Sequence, residues 1–188
     1  MTGQLSELED QDLASLAIGG NQTACTELVR RHRDWLYRLV RSQIGDSDES
    51  LDVTQGAFIA AFGGLDRFDR SRPFKHWLAR IALNKCKDWK RRAFVRRFLF
   101  TASPLTEAEE IADQKPQADT TAADRSELNV TLKAISELPA SLREPRVLRT
   151  IEEHSQAETA QILGITEKAV EARVSRARAR LTEKLKNF

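Results

Sequence analysis

Apolar residues recur at steps of three and four along most of this chain, and runs that alternate apolar with polar are nearly absent. That period places apolar side chains on one stripe of a helix, whereas a half-buried strand needs a period of two. Gly and Pro are scarce, at 8 and 5, so little interrupts such helices, and the expectation is an all-α fold with no substantial sheet. The pattern fails from Thr101 to Arg125. There Pro104 and Pro116 interrupt it, and Ala, Thr, Asp, Glu and Gln dominate, a composition too poor in large apolar groups to build a core. The 188 residues are therefore read as two small helical domains, 1–100 and 126–188, joined by a flexible acidic linker over 101–125.

In the first block Leu28, Val29, His32, Leu36, Leu39 and Val40 share a helix face that Asn21 is placed to cap. Leu51, Phe58, Ala61, Phe62 and Leu65 form a second stripe, and Phe74, Trp77, Leu78, Ile81 and Ala82 a third that begins just inside Pro73. Three stripes close a small bundle. The second block starts near Ser126 with Leu128, Leu132 and Ile135 and must pack a compact core.

The formal net charge of +2 matters less than its distribution. Acids gather at Glu7 to Asp12, Asp46 to Asp52 and Glu107 to Glu127, and bases at Lys85 to Arg97 and Arg173 to Lys186. Two basic surfaces for nucleic acid are expected. The amino terminus is acidic and lacks the basic-then-apolar order of a secretory signal, and no unbroken apolar stretch is long enough to span a bilayer, which points to a cytoplasmic protein. Cys25 and Cys86 lack CxxC spacing, and His32, His76 and His154 are scattered. The cysteines read as small apolar residues, and neither metal nor cofactor is expected. No nucleophile and base pair or phosphate loop stands out, so an enzyme or a small-molecule substrate is not expected either.

The most specific local signal is SQAETAQILGITEKAVEARVSRARARL, Ser155 to Leu181. Ala160 allows a close helix crossing, Gly164 suits the positive backbone dihedral of a tight turn, and Thr166 stands where a hydroxyl caps the next helix. On that helix Val170, Val174, Ala177 and Leu181 make a buried stripe, with Arg173, Arg176 and Arg180 on a neighbouring face. This is the layout of a DNA-reading helix-turn-helix. Thr166, Glu167, Lys168 and Glu171 then approach base edges near the start of the helix, while Arg173, Arg176 and Arg178 hold phosphates or bases.

A second segment, DVTQGAFIAAFGGLDRFDRSRPFKHWLARIALNKCKDWKRR from Asp52 to Arg92, resembles region two of extracytoplasmic-function (ECF) sigma factors. The resemblance is carried by Asp52, Gln55 and Phe58, then Trp77, Leu78, Arg80, Ile81, Ala82, Asn84, Asp88, Arg91 and Arg92. The second block resembles region four, including ELPASLRE at Glu137 to Glu144. The resemblance implies a transcription initiation factor that binds core RNA polymerase, at the beta-prime clamp helices and the beta subunit, directs it to promoter DNA and helps melt it. It assigns Asp52, Gln55 and Phe58 to the polymerase, and Arg67, Arg70, Arg72, Asn84, Lys87, Asp88, Arg91 and Arg92 to the unwound minus-ten strand, with a base pocket at Asp66 to Arg72. Trp77 is expected in the core and Trp89 exposed. The helix-turn-helix takes the minus-thirty-five element, the acidic linker threads into the polymerase, and an anti-sigma factor is the expected regulator.

Two departures stand out: Gly56 occupies a position commonly acidic in that family, and Pro145 with Arg146 occupies positions commonly apolar, so a turn or kink is expected near Glu144. Thr54 reads as an ordinary helix residue rather than a modification site. The alternative from another class is a stand-alone helix-turn-helix regulator whose first block dimerises or senses a ligand.

Overall fold

The computed structural model describes residues 5–101 and 130–185, and all of their regular secondary structure is helical. The linker expected at 101–125, with its acids from Glu107 to Asp124, and the expected start of the second block at Ser126 and Leu128 lie outside the described residues, apart from Thr101.

The first domain contains α1 (Asp10–Ile18), α2 (Gln22–Ile44), α3 (Ser47–Gly63) and α4 (Phe74–Thr101). Local chemistry sets the boundaries. Asn21 Oδ1 accepts from the amides of Thr23 and Ala24 at 3.0 and 3.1 Å and starts α2. Gly45, at φ 90°, ends it by donating its amide to Arg41 O at 2.9 Å, and Asp46 then caps α3 by accepting from Glu49 N at 2.9 Å. The buried face of α2 runs Ala24, Leu28, His32, Trp35, Leu36, Leu39 and Val40, close to expectation. That of α4 starts at Phe74, where Phe68, Phe74 and Trp77 meet with ring centroids 5.2 to 5.7 Å apart.

The face of α3 differs from the expected stripe. Its buried side is Ser50, Thr54, Ala57, Phe58 and Ala61, and Leu51 points outward. Small polar residues serve on the inner side because each can satisfy itself within the helix: the hydroxyls of Ser50 and Thr54 donate to Asp46 O and Ser50 O. Thr54 is thereby buried and engaged, as an ordinary helix residue is.

His32 ties α1 to α2. Trp35 Nε1 donates to His32 Nδ1 at 2.7 Å, so the proton of the neutral ring sits on Nε2, which lies 2.7 Å from Asp10 Oδ2. Both ring nitrogens are thus committed.

In the second domain the described part of α5 covers residues 130–136, followed by α6 (Ala140–Thr150), α7 (Gln156–Leu163) and α8 (Glu167–Leu185). The turn expected near Glu144 is absent, and α6 runs on through Pro145. The amide that proline lacks would have bonded to Ser141, an exposed residue of the first turn, so no acceptor deep in the core is orphaned. The proline ring is instead buried.

The domains are closed onto each other. Arg143 on α6 is buried and donates to Ser136 O and Leu138 O, fixing the turn between α5 and α6, and its Nε donates to Gln43 Oε1 on α2 at 2.7 Å. Lys90 Nζ on α4 donates to Ser136 O, and a Cβ on Gly45 would lie 2.7 Å from Ser136 Oγ, so backbone and side chain meet too closely there for any residue but glycine. Burial, reinforced by the Arg143 charge, pushes the Lys90 ammonium down to about 8.

Candidate nucleic-acid interface

The helix-turn-helix forms as its residues dictate. Ser155 Oγ accepts from Glu158 N at 3.1 Å while Glu158 Oε2 accepts from Ser155 N at 2.7 Å, a reciprocal capping box that opens α7. Gly164 lies at φ 65°, and Ile165 N donates to Ala160 O at 3.1 Å, closing the turn. Thr166 Oγ1 then accepts from Ala169 N at 3.2 Å and opens α8. Gln156 Nε2 donates to Glu167 O at 3.0 Å and holds the two helix starts together.

At 3.6 residues per turn, the buried Val170, Ala177 and Leu181 of α8 define an inner side, with Val174 half-buried beside them. Arg173, Arg176 and Arg180 fall on one flank, and Glu171 with Arg178 falls on the other. Lys168 and Ser175 form the ridge between. Thr166, Glu167, Lys168, Glu171, Arg176 and Arg178 are exposed, and Arg173 is half-buried. A helix that enters a groove presents its outer ridge to bases and its flanks to the two phosphate strands. Ser175, exposed on that ridge, is a residue the sequence reading missed, although a helical projection from Val170 would have found it.

On α4, Arg80, Asn84, Lys87 and Arg91 share one exposed ridge, with Asp88 beside it, 2.9 Å from Arg91, and Arg92 further round. Arg67, Arg70 and Arg72 are exposed in the loop ahead of α4. That loop is braced by Asp69, whose carboxyl is held below its usual range by the Ser71 hydroxyl and amide and by Arg72. The ridge is partly occupied by the second domain. Arg80 Nε donates to Ile162 O at 3.1 Å and Nη2 to Gln161 O at 3.3 Å, both next to the helix-turn-helix turn, and Lys87 Nζ pairs with Glu144 Oε1 at 3.1 Å. Trp89 is not an exposed aromatic: it is half-buried, and its indole N–H donates to Glu49 Oε2 at 2.5 Å because the start of α3 reaches across it.

The outer side of α3 carries Asp52 and Gln55 exposed, as expected, but Phe58 is only 7% exposed and its ring stacks on Phe62 with centroids 6.1 Å apart. Phe58 is core. The apolar groups available to a partner are Leu51 and Ile59, 58% and 66% exposed on either side of Asp52 and Gln55. Ile59 was signalled as an apolar residue that falls off the expected stripe, whereas Leu51 lay on that stripe and carried no such signal.

Residues 28–97 match sigma-70 region 2 and residues 128–181 match sigma-70 region 4. The RNA polymerase sigma factor CnrH of Cupriavidus metallidurans is 42% identical over 92% of this chain and 92% of its own length, and the ECF RNA polymerase sigma factor SigM of Mycobacterium tuberculosis is 32% identical over 97% and 88%. The chain belongs to the ECF family of RNA polymerase sigma factors. Membership sets aside the stand-alone regulator. Among solved structures, CnrH in complex with the cytosolic domain of CnrY superposes with a TM-score of 0.71 at 36% identity, covering 95% of this chain and 97% of that one. The sigma factor RpoE of Bartonella quintana, in complex with the anti-sigma factor NepR, gives 0.64 at 25% identity, covering 86% and 96%. Among the described residues of this ECF sigma factor no helix is long and apolar enough to cross a membrane.

Proposed function

We propose that this ECF sigma factor works in the cytoplasm as a subunit of the polymerase holoenzyme, with the chemistry of RNA synthesis left to the core enzyme. The first domain, over 1–100, docks on the beta-prime clamp helices through Asp52, Gln55, Leu51 and Ile59. It captures the unwound minus-ten strand with Arg67, Arg70, Arg72, Asn84, Lys87, Asp88, Arg91 and Arg92. The second domain, over 126–188, reads the minus-thirty-five duplex through α8, with Lys168 and Ser175 toward the bases, Glu171 reaching base edges from the flank it shares with Arg178, and Arg173, Arg176 and Arg178 toward phosphates. The observation that carries this reading is the outer face of α3, where two large apolar side chains flank a carboxylate and an amide in solvent. Such a face is costly to leave bare and suits a protein partner. An anti-sigma factor that stabilises the closed pair of domains is the matching regulator, since closure already occupies Arg80 and Lys87. The test combines the purified protein with core polymerase and a promoter library. Promoter-dependent transcripts that require Asp52 and Gln55 are expected, and no core binding together with no specific transcript overturns the reading.

A further inference from the structure

Two side chains four residues apart in the second domain and one from the first converge where the domains meet. His76 extends from the first turns of α4, His154 lies just ahead of α7, and Glu158 is in the first turn of α7. One ligand atom from each lies within 4.8 Å of the other two. His76 Nε2 and Glu158 Oε1 are 3.4 Å apart, and the rings of His76 and His154 stand 5.4 Å apart with planes at 73°. Tetrahedral bonds of 2.0–2.1 Å to a metal put ligand atoms about 3.3 Å from one another. One edge of the triangle already has this length, and small side-chain rotations bring in the third corner.

The chemistry of each group fits. His154 Nε2 is buried with no hydrogen-bond partner, the one histidine nitrogen in that state among the described residues. A buried imidazole left unsatisfied is costly unless something binds it. Glu158 divides its two oxygens: Oε2 accepts from the Ser155 amide in the capping box, which fixes the carboxylate, while Oε1 turns to His76. Lys75, whose ammonium lies over the Trp35 ring 5.1 Å from its centroid, is a neighbouring cation that acts on His154 through its charge and makes the Glu158 carboxylate the needed balance in the cluster. The remaining histidine, His32, has both nitrogens committed to Trp35 and Asp10.

We infer that His76, His154 and Glu158 form a binding site for a divalent transition metal of the zinc class, which staples the second domain to the first. Two imidazoles and a carboxylate suit zinc and its borderline neighbours, with a water completing the shell. Ligands from both domains make the site whole only when the domains are closed, so binding stabilises closure by mass action. His154 and Glu158 stand four residues apart, but the third ligand, His76, belongs to the other domain, and that long-range meeting is what the sequence hid.

The test uses the full chain, stripped with chelator and titrated with Zn²⁺ by calorimetry and with Co²⁺ by visible absorption. One equivalent is expected to bind, with the intense d–d bands of a low-symmetry, four-coordinate nitrogen–oxygen site. His76→Gln and Glu158→Gln should each weaken binding by about tenfold or more. Glutamine at 158 still completes the capping box, so α7 stays capped while the carboxylate ligand is lost. Cys25→Ser should bind as the unaltered chain does. Binding that survives both His76→Gln and Glu158→Gln, or no binding with metal in large excess over protein, overturns the inference.

Discussion

Replacing Gln43 by leucine isolates the strength of the closure between the domains. Gln43 Oε1 accepts from Arg143 Nε at 2.7 Å, while Gln43 Nε2 is buried with no partner, so leucine deletes one charge-assisted hydrogen bond and leaves nothing new unsatisfied on α2. The guanidinium keeps its bonds to Ser136 O and Leu138 O, and the turn between α5 and α6 survives. A hydrogen bond to a charged group contributes about 1.5–3 kcal/mol net. Its loss shifts the balance toward open domains by about 10- to 100-fold. Cys86 supplies the readout. It is 2% exposed on α4, between Leu83 and the residues that bond the second domain, and its thiol is pushed up to about 12, chiefly by burial. Alkylation at neutral pH therefore waits for opening, after which the thiol recovers ordinary reactivity. Cys25 is half-exposed and serves as an internal standard. Peptide mass spectrometry after timed alkylation should show Cys86 labelling accelerate by about 10- to 100-fold in the variant, with Cys25 unchanged. An unchanged ratio of Cys86 to Cys25 labelling would refute the claim that the Arg143 to Gln43 bond holds the domains together.

Leu51→Glu with Ile59→Glu should abolish co-purification with core polymerase while changing stability by no more than about 0.5 kcal/mol, because both side chains already stand in solvent; a thermal melt and a core pull-down read the two effects separately. Arg176→Ala and Arg178→Ala should each reduce the slope of log affinity against log salt by about 0.9 on promoter duplex, as measured by fluorescence anisotropy. Lys90 gives a pH signature: its value in the fold, about 8, lies below the ordinary 10.5. Between those values the unfolded chain binds a proton the fold does not, so stability is lowest below about pH 8 and rises toward pH 10.5. Relative to Lys90→Met, the wild-type protein should gain about 1–2 kcal/mol over that window in denaturant titrations, after allowance for solvent screening of the partly exposed ammonium; parallel pH profiles would contradict it.

What the sequence disclosed and what it hid follow from how far apart the interacting groups lie. Asn21, Gly164 and Thr166 act within a turn or two of their own backbone, and each cap or turn stands where its residue type requires. The stripes of α2 and α8 were legible for the same reason, being long and regular. On α3 the inner side is made of Ser50, Thr54 and small residues as well as Phe58. The apolar period thus rightly placed Phe58 in the core but misassigned Leu51 to it, and the assignment of Phe58 to the polymerase came from the resemblance alone. Pro145 misled because the one bond it removes falls on the Ser141 carbonyl, exposed in the first turn, where solvent serves in place of the missing amide. Trp89 beneath Glu49, and the meeting of His76 with His154, depend on contacts across 40 and more residues that no local pattern records.

The pair formed by Lys87 and Glu144 has a consequence for how binding to a nucleic acid strand would be measured. Each lysine that leaves solvent for a phosphate ordinarily liberates a condensed counterion, and the salt dependence of affinity counts such events. At Lys87 the closed protein presents a carboxylate of its own, 3.1 Å away, as a built-in stand-in for the phosphate. A strand that claims Lys87 exchanges one anion for another, and the ammonium stays paired throughout. The ionic-strength slope would then register one contact fewer than the strand makes, and Glu144→Gln would steepen that slope and tighten the complex at low salt more than at high.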